Sequence, residues 1–185
     1  PDPTLAPPSS DSTGVGSREP GHAVLSGRLL ADAGSLPQLA PGVRLGLGHR
    51  RHAFAALGHL GFVGPSATTD LPGGRFWLSF LALDLCGFPV DRRVAWGLCA
   101  ESEVGWLTGR GMGVEAPRTR SSPWAALGGG LAASLGLGAS PWHAELGVGL
   151  LGVIHGPPFV LDGPAVHRPD PAVFRAEAGV SRRFW

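Results

Sequence analysis

The chain contains no lysine and no tyrosine, and Ile154 is its single isoleucine. Charged residues make up only 16% of it, against about 25% in ordinary soluble domains. All fifteen basic residues are arginine, the net charge is +1, and the arginines are scattered rather than gathered into the basic stripe that a nucleic-acid binder presents. Nucleic acid is therefore not an expected partner. Cysteine is also scarce: Cys86 and Cys99 have no second pair and no CxxC spacing, which argues against a zinc site. Free buried thiols and an oxidised pair both remain open on this evidence.

Glycine and proline are abundant instead, at 30 and 18 residues, which argues against a helical bundle. One stretch, SSPWAALGGGLAASLGLGASPW, runs for about twenty residues without charge and is long enough for a membrane helix. Its glycines speak against that, since Gly128, Gly129, Gly130, Gly136 and Gly138 would each cost a helix about 1 kcal/mol relative to alanine. Two Gly- and Ala-rich strands joined at GASP explain the stretch better. At 185 residues the chain fits one domain. Residues 1–20, rich in Pro, Ser and Asp and without apolar periodicity, are expected to be a disordered leader or linker. Residues 21–185 are expected to form the folded domain. The chain begins at Pro1, so an upstream segment such as a secretion signal is expected to have preceded it.

Beyond the leader, runs of alternating polar and apolar residues are separated by turn residues, as in all-β sandwiches and barrels. Eight such runs are expected, at about 22–33, 42–49, 52–63, 75–85, 93–108, 122–137, 141–154 and 172–184. Short connections alternate with long ones, GSLPQLAPG, GPSATTDLPGG, GRGMGVEAPRTRSS and HGPPFVLDGPAVHRPDP. Short turns at one end and long loops at the other are how outer-membrane barrels are built. A Greek-key sandwich has no reason to keep that alternation. The expected fold is thus all-β, an eight-stranded antiparallel up-and-down transmembrane β-barrel.

Side-chain parity assigns the faces, because successive strand residues point to opposite sides. His22, Ser26, Arg28 and Asp32 alternate with Ala23, Leu25, Leu29 and Ala31, and Arg44, Gly46 and Gly48 with Val43, Leu45 and Leu47. Cys99, Glu101, Glu103 and Gly105 alternate with Trp96, Leu98, Ala100, Val104 and Trp106, and His143, Glu145, Gly147 and Gly149 with Ala144, Leu146, Val148 and Leu150. In the last run Arg175, Glu177, Ser181 and Arg183 alternate with Phe174, Ala176, Ala178, Val180 and Phe184. An eight-stranded barrel is only wide enough for side chains to fill. A polar inner face of near-balanced charge suits such a lumen, with Arg28, Arg44, Arg175 and Arg183 pairing Glu101, Glu103, Glu145 and Glu177, since isolated buried charges are too costly. Trp106, Trp124, Trp142, Phe174 and Phe184, near strand ends, would then form an interfacial girdle. The opposite orientation, a soluble barrel around an apolar ligand, is the alternative. In the run RFWLSFLALDL, Phe76, Leu78 and Phe80 share parity with Asp84, so a bulge near Ala82 is expected there.

These strands and the closing FRAEAGVSRRFW resemble the small outer-membrane β-barrel proteins of Gram-negative bacteria, the eight-stranded OmpA and OmpX type. The segment CGFPVDRRVAWGLCAESEVGWLTGRGMGV, with WAALGGGLAASLGL and FVLDGPAVHRPDPAVFRAEAGVSRRF, resembles barrel proteins common in myxobacteria in particular. The resemblance implies several things. Phe174, Val180, Phe184 and Trp185 would carry the signal read by the barrel-assembly machinery, although Trp185 stands after the terminal phenylalanine more usual in the family. Cys86 and Cys99 would form a disulfide stapling a hairpin near its short-turn, periplasmic end. The chain would be a monomer in outer-membrane lipid, with the loop at 156–171 offered to an extracellular partner and a structural or surface-interaction role.

Other motifs carry less. Lipid-modifying barrels using Ser and His are known among small outer-membrane proteins, but His143 and Glu145 share the lumen parity and no serine lies between Ile154 and Arg175 to join His155 and His167. His155, Asp162, His167 and Asp170 lack a fixed ligand spacing. GRGMGV follows a strand but opens no helix, so a phosphate loop fails on context and a tight turn is expected. No catalytic residue, cofactor or metal is assigned.

Overall fold

The computed structural model describes residues 21–90, 93–160 and 165–184; the expected leader, Trp185 and Asp162 lie outside these. The strands are β1 (His22–Ala33), β2 (Ala40–Arg51), β3 (Phe54–Ala67), β4 (Gly73–Val90), β5 (Val94–Met112), β6 (Thr119–Gly136), β7 (Trp142–His155), β8 (Phe159–Val160), β9 (Ala165–His167) and β10 (Ala172–Phe184). Eight of them close into an antiparallel barrel in the order β1-β10-β7-β6-β5-β4-β3-β2, and β8 with β9 forms a separate hairpin in the last long loop. The described residues contain no helix.

The first and last expected runs coincide with β1 and β10, which pair from Ala23 opposite Phe184 to Ala33 opposite Phe174. In the middle of the barrel the strands outrun the sequence pattern. Residues of GPSATTDLPGG and GRGMGVEAPRTRSS extend β3 to β6, and within GRGMGV the strand continues to Met112 before the chain turns at Gly113, whose φ of +72° suits glycine. Polar and glycine residues are tolerated in these rim extensions because a ladder partner is available and packing there is one-sided.

Parity holds along the barrel. Leu25, Leu29, Leu45, Leu47, Leu98 and Leu146 point outward and are more than half exposed, while Ser26, Arg44, Glu103, Arg175 and Ser181 are buried inside. Two expectations are corrected. No bulge interrupts β4 at Ala82, where the ladder runs evenly from His59 through Ala82 to Glu103; the irregularities lie at Val63/Ser66 and Gly87/Val90. Phe76, Leu78 and Phe80 keep the inward parity of Asp84 because part of the lumen is apolar. Trp124 belongs to that interior as well, not to an outer girdle: it is 2% exposed, and its indole N–H donates to Glu103 at 3.4 Å. Directly opposite stands Gly105, where a Cβ would come within 2.1 Å of the Ser79 carbonyl oxygen. Trp96, Trp106 and Phe174 do face outward near strand ends.

The lumen is therefore layered. Toward the long loops, Leu30, Leu36, Val63, Phe76, Leu107 and Trp124 belong to one apolar cluster, with Phe159 of β8 packed on it. Toward the short turns, Val24, Leu57, Cys86, Phe88 and Ala95 form a smaller one. Charged side chains fill the space between.

Candidate functional site

The ionic belt follows from register. Arg28 of β1 lies directly opposite Arg44 of β2, and Asp84 of β4 opposite Glu101 of β5, both like-charged pairs that alone would repel. Each is bridged from elsewhere on the wall. Glu177 of β10 accepts from Arg44 at 2.5 Å and from Arg28 at 3.1 Å. Arg44 in turn reaches Glu101 at 2.8 Å and Asp84 at 3.2 Å, and Arg28 also binds Glu145 of β7 at 2.8 Å. Across the seam between first and last strands, Arg175 donates to Asp32 at 2.7 Å and pairs with Glu103 as well. His59 Nε2 completes the belt, 2.9 Å from Asp84.

Phe80 separates this belt from the apolar layer. The Arg175 guanidinium stands 4.6 Å from its ring centroid and that of Arg44 5.8 Å, within cation–π range. Gly61 makes the berth, since a Cβ there would come within 2.2 Å of the Phe80 ring.

Of the residues expected in the lumen, Arg28, Arg44, Glu101, Glu103, Glu145, Arg175 and Glu177 come together in these contacts. Arg183 instead lies half-buried nearer the short turns, beside a small space it lines with Arg50, Ser181 and Glu145. Asp84, His59 and Phe80 were not singled out as network members from sequence. Asp84 shared its parity with three large apolar residues, and His59 stood alone among Leu57, Gly61 and Val63. Cys86 and Cys99 are bonded at directly opposing positions of β4 and β5, 4.0 Å apart at Cα and beside the short-turn apolar cluster. Phe174 and Val180 face outward, and Phe184 is half-buried.

At the long-loop end the β8–β9 hairpin covers the apolar layer. Phe159 packs edge-on against Phe76, ring centroids 5.2 Å apart, and His167 lies 4.8 Å from the same ring. The His167 Nε2–H donates to the Ser35 carbonyl at 3.0 Å, and the Ser35 hydroxyl donates to Asp32. No Ser–His contact of nucleophilic type results, because His167 meets the backbone of Ser35 and not its hydroxyl. Burial holds the His167 imidazole below the ordinary histidine range, opposed by its bond to Ser35 and by the nearby Asp170. Beside the hairpin, a mouth cavity of about 310 Å³ opens between the ends of β4, β5 and β6 and the residues Phe159, Val160 and Val166. Among the described residues, no cluster of His, Cys, Asp and Glu is arranged to hold a metal ion.

No protein-family model and no characterised protein matches the sequence. The fold does have solved counterparts. A major outer membrane protein from Thermus thermophilus superposes with a TM-score of 0.68 at 15% identity, over 89% of this chain and 99% of that one. Neisserial surface protein A follows at a TM-score of 0.58 and 12% identity, over 89% and 97%. Ail, the attachment invasion locus protein of Yersinia pestis, gives 0.52 and 12%, over the same shares. The fold is that of the small eight-stranded outer-membrane β-barrels. The myxobacterial likeness rests on sequence alone.

Proposed function

We propose that the protein is a monomeric transmembrane barrel of the bacterial outer membrane, with a plugged lumen and a structural or surface-interaction role. The observation that carries the reading is the inversion of the barrel: ionised side chains are packed inside while leucine, valine and tryptophan cover the outside. So much contiguous apolar surface is not tolerated in water and is what lipid requires. A soluble barrel around an apolar ligand needs the opposite orientation. The names of the similar barrels, a surface protein and an attachment protein, favour an interaction role for the long-loop end.

In this reading the short turns face the periplasm and the long loops the exterior. Phe174, Val180, Phe184 and Trp185 present the closing strand to the assembly machinery, and no reaction is catalysed. The chain should be insoluble without detergent and should migrate differently on gels before and after boiling. It should show no stable large conductance in planar bilayers, because Arg44, Arg175, Phe80 and Trp124 obstruct the lumen. A chain that stays monomeric and soluble without detergent overturns the proposal.

A further inference from the structure

The outward face at the short-turn end carries a depression with a charge at its mouth. Register sets Arg51 of β2 opposite Phe54 of β3, Phe54 opposite Gly87 of β4, and Gly87 opposite Leu98 of β5. One row nearer the middle of the barrel stand His49, Ala56 and Leu85, and beyond them Leu47, Gly58 and Leu83. All share the outward parity, so the larger side chains rise as banks around Gly87, Ala56 and Gly58. A Cβ at Gly87 would meet nothing within 4 Å, and one at Gly58 only the Leu47 carbonyl oxygen at 3.9 Å. The part nearest the short turns is an open groove of about 410 Å³ between Arg51, His49, Phe54 and Leu85, with Ala56 and Gly87 in its floor.

Arg51 is exposed, and its guanidinium makes no ion pair among the described residues. The other outward arginine of this end, Arg182, is covered by Trp142 and Phe184, whose ring centroids lie 5.6 and 4.9 Å away. Every described carboxylate lies in the lumen or in the long loops, so the short-turn end is basic throughout, with Arg51, Arg93 and Arg182 exposed. The inference rests on the membrane reading, in which the groove faces hydrocarbon and Arg51 reaches the headgroup level, as long basic side chains near the ends of spanning segments do. A guanidinium fork matches phosphate oxygens in charge and geometry. A zwitterionic headgroup would also bring an ammonium, for which no described carboxylate stands nearby, whereas a headgroup that is anionic overall brings none. We propose that this groove holds a glycerophospholipid of net negative charge, its phosphate on Arg51 and one acyl chain laid over Gly87, Ala56 and Gly58.

The test uses the full chain folded in non-ionic detergent, its folded state established by the gel shift on boiling. Native mass spectrometry then counts the lipids retained after equilibration with phosphatidylglycerol, phosphatidylcholine or phosphatidylethanolamine of identical chains. One phosphatidylglycerol should be retained about fivefold more than either zwitterion, the weight of one basic residue on anionic lipid. Arg51→Gln should abolish that preference and Arg51→Lys keep part of it. Gly87→Leu and Ala56→Phe, which fill the groove from two strands without entering the lumen, should each lower retention of all three lipids. Arg168→Gln, which removes an exposed charge at the long-loop end, should change nothing. Equal retention of the three lipids by a normally folded chain overturns the site and leaves the barrel reading standing, as does an equal loss in Arg168→Gln. A loss in Arg51→Gln with none in the two filling variants means diffuse attraction to the basic end, and also overturns the groove. A chain that folds and stays soluble without detergent overturns the membrane reading and the site with it.

Discussion

The middle of the lumen and its long-loop rim contain the same motif with opposite outcomes. In both, the register sets like charges face to face: Arg28 with Arg44 and Asp84 with Glu101 in the middle, Arg75 with Arg110 at the rim. In the middle the pairs face the lumen, where Glu177 of β10 accepts from both Arg28 and Arg44 and Arg44 reaches Asp84 and Glu101, so both pairs are neutralised. At the rim Arg75 and Arg110 share the outward parity of Trp77 and Trp106, so the lumen wall cannot reach them, and no described carboxylate pairs with them. Strand pairing thus decides which charges meet, and the face of the sheet they share decides whether they are compensated.

The largest expected effect breaks the compensated side. Arg44→Met leaves Asp84, Glu101 and Glu177 without their shared cation and should cost about 3–5 kcal/mol, the penalty for orphaning buried charge. Urea unfolding in detergent micelles measures it, and a loss below about 1 kcal/mol would mean that water, not Arg44, solvates the belt. Replacing Cys86 and Cys99 by serine should cost about 3 kcal/mol in the chain-entropy view of a loop this size, read as a lower urea midpoint that reductant no longer changes. Trp124→Phe removes the donor to Glu103 along with part of the buried indole's volume, so about 1–3 kcal/mol should be lost.

A smaller and local effect concerns the hairpin over the mouth. Burial favours neutral His167 in the folded state, so the opened state binds more protons, and the hairpin should weaken as pH falls through about 6.5, the ordinary histidine value, and tighten as pH rises. Limited proteolysis of the 156–171 loop against pH would follow this, and His167→Phe should flatten the profile. The smallest effect lies at the uncompensated rim: Arg75→Ser should be neutral or stabilising by at most about 1 kcal/mol, and only at low salt. Appreciable destabilisation there would mean that the rim already has a protein counter-ion.

The barrel was legible because alternation with a period of two survives in the strands that form its exterior; the boundaries of β1 and β10 coincide with the pattern. The rim extensions of β4, β5 and β6 were not, since Gly109, Arg110 and Thr119 pair only because a neighbouring strand is there to receive them. The belt was half legible. Parity placed Arg28, Arg44, Arg175 and four glutamates on one face, whereas the partners of each depend on how strands far apart in sequence face one another across the lumen. Asp84 and Trp124 misled for a shared reason: an interior taken as uniformly polar gives no place to apolar side chains, and the real one is polar only at mid-height.

The seam between β1 and β10 carries its own fastening. Asp32 and Arg175 stand directly opposite across it, and Arg28 and Glu177 meet there too. These contacts join the two ends of the sheet, so they form only when the ring is complete and must break before it can reopen. Their weight should therefore fall on the rate of opening and little on the rate of closing. The lifetime of the closed barrel, more than the speed of its formation, is what Asp32 and Arg175 should set.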